Sequence, residues 1–463
     1  MSPSEGFLVT KNEVPEGRLA LLGLGVENRA LAAWLAVHNR TFTICDANPA
    51  CSAANEKWVS AVDTWNLGED YLQDLHEFDV VFRSPGIPAL HPLLVELRRS
   101  STLVTSQTQL FLERCPAFVV GITGTKGKGT TATMLASILS AASRDCRLAG
   151  NIGIPPVGFL DELNSSDIVI LELSSFQLQD LTRSPDAAIV LAIDVDHLDV
   201  HADRAEYVEA KTSVCRFHGS ENWAVCVGDD DTASRVANRG QSRLVTATAS
   251  SLVPTTGTWI EDGMIRWCSD QENRSLASVE AIGVRGLHNV ANACVASAAA
   301  VLLGTEAQQI EAGLRSFNPL PHRLEEVSTV DGVLFVNDSL ATTPVAAAAA
   351  IEAYNDRPLV VITGGASKKA EYEALGRALA QHATAVVLLG EEGQRIADAA
   401  ALAGYQGPVA IAAGMEIAVG VARRLVPAGG VVLLAPGCAS FGMFRDYAER
   451  GEIFRDVVAG LSP

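Results

Sequence analysis

The sequence predicts an α/β protein built as three domains, and three observations support this. Short apolar runs of strand length alternate with helical patterns, at a spacing of roughly 25–35 residues in the last third, the rhythm of strands in a parallel sheet. Two of the runs end in glycine turns that open helices, at Gly23–Gly25 and Gly124–Lys128. Most of the others end in polar loops, and in parallel sheets the loops beyond the carboxyl ends of the strands bind ligands. The 463 residues suffice for about three domains. The pattern divides them into 1–113, 114–318 and 319–463.

In the first segment Arg18–Leu22 is an apolar run ending in Gly23-Leu24-Gly25, followed by a helical pattern with Ala30, Leu31, Trp34 and Leu35. A second strand, Thr41–Cys45, ends at Asp46. This is the opening of a βαβ unit, and in dinucleotide-binding folds an acid at that place takes a ribose hydroxyl. The third glycine of Gly-x-Gly-x-x-Gly is absent, with Asn28 in its place. A dinucleotide, a nucleotide-sugar diphosphate or no ligand therefore stays open at this turn. A further strand, Asp79–Phe82, runs into Arg83-Ser84-Pro85-Gly86-Ile87, where the Pro-Gly pair marks a turn.

The second segment is organised around Ile122–Met134, Ile-Thr-Gly-Thr-Lys-Gly-Lys-Gly-Thr-Thr-Ala-Thr-Met. The apolar run Ala117–Ile122 enters it and the helical pattern Thr131–Leu139 leaves it. A strand, a glycine loop and a helix start cradle phosphate. Backbone N–H groups and the positive helix end point at the anion, and a lysine, here Lys128, adds a full charge. The strict P-loop has a glycine where Ile122 stands and a Ser or Thr for Mg²⁺ where Gly129 stands; an ordinary glycine turn is the alternative. The strand Asp167–Leu171 ends at Glu172. A carboxylate at the end of a strand neighbouring a phosphate-loop strand is where nucleotide-bound Mg²⁺ is held; a solvated strand-end acid is the alternative.

The strand Ala187–Ile193 ends in Asp194-Val195-Asp196-His197-Leu198-Asp199-Val200-His201, a density of ionisable groups unlike a structural strand end. His197 fits a metal or phosphate contact. Lys211, on a helical pattern beyond His201, reads by itself as a solvated helix lysine. Asn222–Gly228 is another strand, residues 241–283 are mixed strand and loop, and Gly286–Asn292 opens an alanine-rich helix to Leu303. Asn289 and Asn292 share a helix face at i,i+3. Amides there read an adenine edge or cap the helix, and the residues alone favour capping.

In the third segment Pro319-Leu320-Pro321-His322-Arg323-Leu324-Glu325 reads as a rigid linker with a basic pair. Beyond it Val333–Val336 ends in Asn337-Asp338-Ser339-Leu340-Ala341-Thr342-Thr343-Pro344, and Leu359–Thr363 in Gly364-Gly365-Ala366-Ser367-Lys368. Val431–Ala435 ends in Pro436-Gly437-Cys438-Ala439-Ser440, and Ala385–Gly390 and Val409–Ala412 are two more strands.

The totals exclude some partners. A formal charge of −19 leaves no excess of Lys or Arg for phosphate backbones, which argues against nucleic acid and anionic membrane. The nine cysteines show no Cys-x-x-Cys spacing and read as reduced thiols in a cytoplasm, each a small buried hydrophobe. Met1–Gly17 has no apolar core of signal-peptide length, and no window reaches the ~18 apolar residues of a membrane span. A cytoplasmic protein without membrane insertion, and a monomer, is expected.

In order along the chain stand Gly23–Gly25, Ser84-Pro85-Gly86, Gly124–Lys128, Asn151, Leu171-Glu172-Leu173-Ser174-Ser175-Phe176-Gln177, Asp196-His197-Leu198-Asp199 and Lys211. They are followed by His288-Asn289 with Asn292, His322-Arg323, Asn337-Asp338-Ser339, Gly364-Gly365 with Lys368, and Cys438-Ala439-Ser440. By this ordered set, which spans essentially the whole chain, it resembles the Mur ligases of peptidoglycan synthesis, and among them those that add glutamate to UDP-N-acetylmuramoyl-L-alanine.

The resemblance implies a three-domain α/β fold: an N-terminal Rossmann-like domain for the UDP-sugar, a central P-loop ATPase-like domain for ATP, and a C-terminal Rossmann-like domain for the amino acid and part of the ATP. It implies an ATP-dependent amide ligase. The γ-phosphoryl passes to the alanyl carboxylate, the glutamate amine attacks the acyl phosphate, and ADP and phosphate leave. Holding these anions together takes Mg²⁺ and cationic groups. On the family pattern ATP is held by Gly124, Thr125, Lys126, Gly127, Lys128, Gly129 and Thr130, with Asn289, Asn292, Arg323 and Asp338. Thr130, Glu172, His197 and Lys211 hold the metal, Lys211 as a carbamate, a role the bare residues do not reveal. Lys128, His197, Lys211, His322 and Asp338 are the implied catalytic set. Gly23, Gly25, Asp46, Ser84, Pro85, Gly86 and Asn151 meet the UDP-sugar, and Thr342, Thr343, Lys368, Ser440 and Tyr447 meet the glutamate.

Two departures bear on the resemblance. Gly129 stands where the family has Ser or Thr, which passes one Mg²⁺ ligand to Thr130 or to water. Leu340 stands where D-glutamate-adding enzymes have a lysine, in Asn-Asp-Ser-Lys-Ala-Thr-Asn. The variant that adds L-glutamate, paired with a later epimerase, has a similar Asp-Ser-x-x-Thr-Thr-Pro stretch. Loss of a cation beside a dicarboxylate changes its placement, so L-glutamate is expected and D-glutamate is the alternative. Gly129 also motivates a catalytically inactive nucleotide-binding regulator, against which Glu172, His197 and Lys211 stand. A folylpolyglutamate synthetase would carry its phosphate loop near the start of the chain. An NAD dehydrogenase has only the first glycine turn in its favour.

Overall fold

The computed structural model describes residues 15–51, 56–194, 201–284, 286–318, 321–367 and 370–461. The chain divides into two compact units, one of Met1–Ala281 and Ala291–Ser316, the other of Ile282–Val290 and Phe317–Pro463. The described strands form three sheets, two in the first unit and one in the second.

The first sheet is wholly parallel, in the order β3-β2-β1-β4-β5. Its strands are β1 (Leu19–Leu22), β2 (Phe42–Asp46), β3 (Val62–Leu67), β4 (Val80–Arg83) and β5 (Leu103–Thr105). β1 and β4 are buried at every residue, which is why Leu19–Leu22 and Val80–Phe82 read as unbroken apolar runs rather than as alternation. The strand order reverses between β1 and β4, and ligands bind outside the carboxyl ends of strands at such a switch point. Gly23–Gly25 and Ser84–Gly86 both leave the sheet there.

The second sheet runs β14-β13-β12-β11-β10-β9-β6-β8-β7. Its strands are β6 (Phe118–Thr123), β7 (Cys146–Gly150), β8 (Ile168–Glu172), β9 (Ala187–Val190), β10 (Trp223–Val227), β11 (Arg243–Ala247), β12 (Gly257–Glu261), β13 (Met264–Cys268) and β14 (Asn273–Ser278). It is parallel from β7 across to β12, and β13 and β14 are added antiparallel. The third sheet, in the second unit, runs β15-β16-β20-β17-β18-β19. It comprises β15 (Glu325–Val330), β16 (Val333–Asn337), β17 (Leu359–Gly364), β18 (Ala383–Leu389), β19 (Val409–Ala412) and β20 (Val431–Leu434). Successive residues serve opposite faces: Val360 and Ile362 pack in one apolar cluster and Val361 in the other.

The antiparallel β15 departs from the parallel expectation for the last third, and β13 and β14 lie in the stretch expected as mixed strand and loop. β12 and β13 meet through Asp262-Gly263, with φ of 51° and 72°, and β15 and β16 through Asp331-Gly332, with φ of 51° and 76°. An Asp-Gly pair with both φ positive is the turn whose twist matches a two-residue hairpin. β15 also takes Glu325 out of the expected linker. All nine cysteines are free, and Cys45, Cys215, Cys226, Cys268, Cys294 and Cys438 are buried, as small hydrophobes are. No described helix is long and apolar enough to cross a membrane.

Candidate active site

In the first unit β6 lies between β8 and β9, with Ile122 opposite Glu172 and Thr123 opposite Val190. The chain leaves β6 through Gly124–Gly127 and enters the helix Lys128–Ala141. The glycines are required where contacts are tightest. Gly127 has φ of 84°, and a Cβ there would lie 2.6 Å from Asn292 Oδ1, so Asn292 stands beside the loop. Thr125 N donates to Ala192 O at 2.9 Å, and Thr125 Oγ1 accepts from Asp194 N at 2.9 Å and meets the Tyr207 hydroxyl at 3.0 Å. Lys128 Nζ donates to Gly124 O and Thr125 O at 3.2 and 3.1 Å. Lys211 Nζ donates to the same Gly124 O at 3.0 Å, over the face of the Tyr207 ring. Lys126 is exposed.

Two ammonium groups converging on one carbonyl oxygen repel each other. An anion beside them, or loss of one positive charge, relieves that repulsion. Lys211 is 1% exposed, so the solvated-lysine reading does not hold; its ammonium is turned into the loop. The helix of Asn289 and Asn292 starts at Leu287, which places both amides inside it. The capping reading therefore fails, and both side chains are buried.

Glu172 is buried as well, so it is not a solvated strand-end acid. Its Oε1 accepts from Asn151 Nδ2 at 2.9 Å, and its backbone O accepts from Asn151 N at 2.9 Å. In the first turn of the phosphate-loop helix, Thr130 Oγ1 is buried with no hydrogen-bond partner among the described residues. A buried carboxylate and an unpartnered hydroxyl bordering a phosphate loop are hard oxygen donors that fit Mg²⁺. His197, with Asp196 and Asp199, lies outside the described residues.

A cluster unforeseen from sequence braces this loop. Ser175 Oγ meets His201 Nε2 at 2.9 Å, and His201 Nδ1 pairs with Glu206 Oε2. The His201 ring stacks on Phe176 and meets Tyr207 edge-on. The helix Arg204–Thr212, which carries Tyr207 and Lys211, is thereby fixed at its start.

At the switch point of the first sheet, Gly23 and Gly25 lie against Ser84: a Cβ on them would come within 3.0 Å of Ser84 Cβ and 3.2 Å of Ser84 Oγ. Pro85 and the exposed Gly86 continue that turn. Asp46 secures the turn, its Oδ2 accepting from Leu24 N at 2.6 Å and its Oδ1 from Asn48 N at 2.8 Å. Asn28 replaces the expected third glycine by a clamp. Its Nδ2 lies 3.2, 2.8 and 3.1 Å from the carbonyl oxygens of Leu22, Gly23 and Phe82, joining β1 to β4.

In the second unit the strand-end loops are tied to one another. Asp338, at the end of β16, is buried and accepts from Leu324 N at 3.0 Å. Burial pushes its carboxyl up to about 6, against the opposing pull of the Leu324 N–H and the nearby Arg323. Arg323 lies between His322 and Leu324, both left-handed, with φ of 65° and 44°. Such conformations cost about 1–2 kcal/mol each and gather where function requires them. The buried His322 ring accepts Asn337 Nδ2 at Nδ1, 3.0 Å away, and faces Glu452 and Gly451. Leu340 N donates to His322 O at 3.0 Å, and the Leu340 side chain is half-buried. Thr342 is half-buried, Thr343 Oγ1 caps the helix Pro344–Glu352, Ser440 is buried and Tyr447 is exposed. Arg450 binds this set from behind, donating to Ser339 Oγ and O at 2.9 and 2.8 Å and to Cys438 O at 3.2 Å. Lys368 lies outside the described residues.

The Mur ligase middle domain is matched over residues 122–300, and the Mur ligase glutamate ligase domain over residues 322–438. The chain belongs to the Mur ligase family. It is 34% identical over 452 residues to a UDP-N-acetylmuramoylalanine–D-glutamate ligase of Symbiobacterium thermophilum, covering 96% of this chain and 98% of the relative. It is 35% identical over 450 residues to a UDP-N-acetylmuramoyl-L-alanine–L-glutamate ligase of Salinispora tropica, covering 95% and 97%. The MurF ligase of Thermotoga maritima, solved in complex with ADP, superposes with a TM-score of 0.58 at 18% identity over 98% of this chain and 97% of that one. The three sheets are thus those of the three-domain Mur ligase fold.

Three side chains of this Mur ligase escape a reading of its sequence. Arg450 looks like one helix arginine among several, His201 like the tail of an acidic run, and Glu27 like a helix-start acid. Only His201 carries a sequence signal, since Glu206 follows it at i+5 and Tyr207 at i+6.

Proposed function

We propose that the chain joins glutamate to UDP-N-acetylmuramoyl-L-alanine with ATP, through an acyl phosphate, in the making of peptidoglycan precursors. The observation that supports this best is the convergence of Lys128 and Lys211 on Gly124 O, beside the buried Glu172 and at the start of a helix. That is a place prepared for a polyphosphate. The N–H groups at the helix start and the Lys128 ammonium bind the β- and γ-phosphates, the ammonium exchanging neutral carbonyls for charged oxygens, bonds about twice as strong. Glu172, Thr130, His197 and a carbamate on Lys211 would hold Mg²⁺, which when bound polarises the phosphoryl oxygen. Carbamylation would also remove one of the two like charges at Gly124 O. Asn289, Asn292, Arg323 and Asp338 complete the ATP contacts, and His322 orders the loop beneath Leu340.

The segments 1–113, 114–318 and 319–463 are proposed as the UDP-sugar, ATP and amino-acid domains of a cytoplasmic monomer. Gly23–Gly25, Asp46, Ser84–Gly86 and Asn151 take the UDP-sugar. Thr342, Thr343, Lys368, Ser440 and Tyr447 take the amino acid. Leu340 favours L-glutamate, because an apolar side chain stands at the position of the lysine of D-glutamate enzymes. The test supplies UDP-N-acetylmuramoyl-L-alanine, ATP and Mg²⁺ with either isomer, and reads phosphate release and product mass. Turnover with the L isomer is expected. Turnover with D alone overturns the choice of isomer, and none with either leaves an inactive nucleotide-binding regulator.

A further inference from the structure

Glu27 lies in the first turn of the helix Val26–Val37, two residues after Gly25. An acid there gains about 0.3–1 kcal/mol from the helix dipole, and that would suffice if its carboxylate faced its own helix. It does not. Glu27 Oε1 accepts from Gln177 Nε2 at 2.6 Å, and Oε2 accepts from Gln107 Nε2 at 3.1 Å. Gln177 is committed at its other end too: its Oε1 accepts from Ser174 N at 2.9 Å, while Gln177 N donates to Ser174 Oγ, closing a capping box. One amide therefore joins a residue two positions after Gly25 to a residue two positions after Glu172. Beyond Glu172 the link continues to Asn151.

We propose that Glu27 and Gln177 are positioning residues, which set the distance between the glycine turn at Gly23–Gly25 and the Glu172 carboxylate, and with it the register of the acceptor carboxylate against the γ-phosphoryl group. The proposal rests on the ligase function proposed above. The acceptor is a long molecule, anchored by its diphosphate at one place and reacting at another. Its carboxylate must come within about 3–3.5 Å of phosphorus, and a misplacement of about 1 Å costs on the order of 100-fold in rate. A single hydrogen bond between the half-buried Glu27 and the buried Gln177, on helices that follow strands of different sheets, is a direct way to hold such a distance. It is not what holds the sheets together. Arg83 of β4 does that, through Asp180 and the Phe176 carbonyl oxygen. Removing Glu27 therefore leaves the unit folded.

The test compares Glu27→Ala, Gln177→Ala, the double variant and Glu27→Gln with the wild-type protein. The last keeps an acceptor for Gln177 and offers a donor to Gln107, whose Oε1 has no partner among the described residues. Calorimetry reads the binding of UDP alone and of a non-hydrolysable ATP analogue alone; steady-state assays read kcat and KM. Expected are dissociation constants within about threefold of wild type, kcat lower by about 30–100-fold in each alanine variant and no lower in the double, and recovery of most of kcat in Glu27→Gln. A kcat within about threefold of wild type in Glu27→Ala overturns the positioning role while the ligase reading stands. Loss of UDP binding in step with kcat/KM overturns it as well, by making Glu27 a ligand contact. Absence of turnover in the wild-type protein overturns the ligase reading and the inference with it.

Discussion

Replacing Asp180 by alanine should unfold the first unit at a distinctly lower denaturant concentration, and the structure sets the size of the effect. Asp180 Oδ2 accepts Arg83 Nε at 2.7 Å and lies 2.6 Å from Arg83 Nη2, while Oδ1 accepts Arg98 Nη2 at 2.9 Å. The Arg83 and Asp180 side chains are each 1% exposed and that of Arg98 is 32% exposed. Once the carboxylate is gone, Arg98 can turn to water and Arg83 cannot. Arg83 keeps the carbonyl oxygens of Phe176, Ser84 and Ile87, but its charge is left uncompensated. Breaking a buried pair in this way costs about 3–5 kcal/mol, against a total of about 5–15 kcal/mol for a domain. With a urea slope of about 2 kcal/mol/M, the midpoint of the transition reported by Trp34 and Trp58 should fall by roughly 2 M. The double variant Arg83→Met with Asp180→Leu should recover most of that, since an apolar pair of similar volume restores packing without a stranded charge. A shift of less than about 0.3 M for Asp180→Ala would mean that water reaches Arg83, and would refute the reasoning.

Further outcomes are expected. Asp338 titrates near 6 in the folded chain against 3.8 ordinarily, so the folded form holds the extra proton. Its contribution is present below about pH 4 and is lost as pH rises through 6, by about 3 kcal/mol in all; Asp338→Asn should remove that part of the pH dependence in thermal melts between pH 4 and 7. Gly127→Ala puts a methyl group into left-handed backbone and 2.6 Å from Asn292 Oδ1. It should cost about 1–2 kcal/mol and weaken binding of an ATP analogue at least tenfold by calorimetry. If Lys211 acts as a carbamate, Lys211→Ala loses activity and regains part of it with added short carboxylates in a phosphate-release assay. Full activity without them excludes the modification.

The architecture was legible in the sequence wherever a strand is buried on both faces. Such strands, β1, β8 and β20 among them, are short continuous apolar runs bounded by glycine turns or polar loops, which sets them apart from the longer alanine-rich helices. The half-exposed edge strand β15, Glu-Glu-Val-Ser-Thr-Val, was not, because its alternation is broken by a register shift between Glu326 and Ser328. The phosphate loop and Glu172 could be read because their chemistry forces a local pattern. Lys211 could be placed only through the resemblance, since what distinguishes it is burial against a loop 87 residues away. Gln177 belongs to a motif, but its partner Glu27 is 150 positions distant, and no periodicity reports such a pair. Side chains that work by joining elements leave little trace in either one.

The way the phosphate loop is held has a consequence for how the protein is born. Its strand, β6, is flanked by β8 and β9, and the loop itself is tied to Ala192, Tyr207 and Lys211. All of these lie later in the chain. At a synthesis rate of about 5–20 residues per second, Gly124 leaves the ribosome on the order of ten seconds before Lys211 can reach it. Until β8 and then β9 follow it out, the turn has neither neighbouring strand to shape it. The loop is therefore not complete when it first emerges, and a polypeptide released short of Lys211 lacks the ties that shape it.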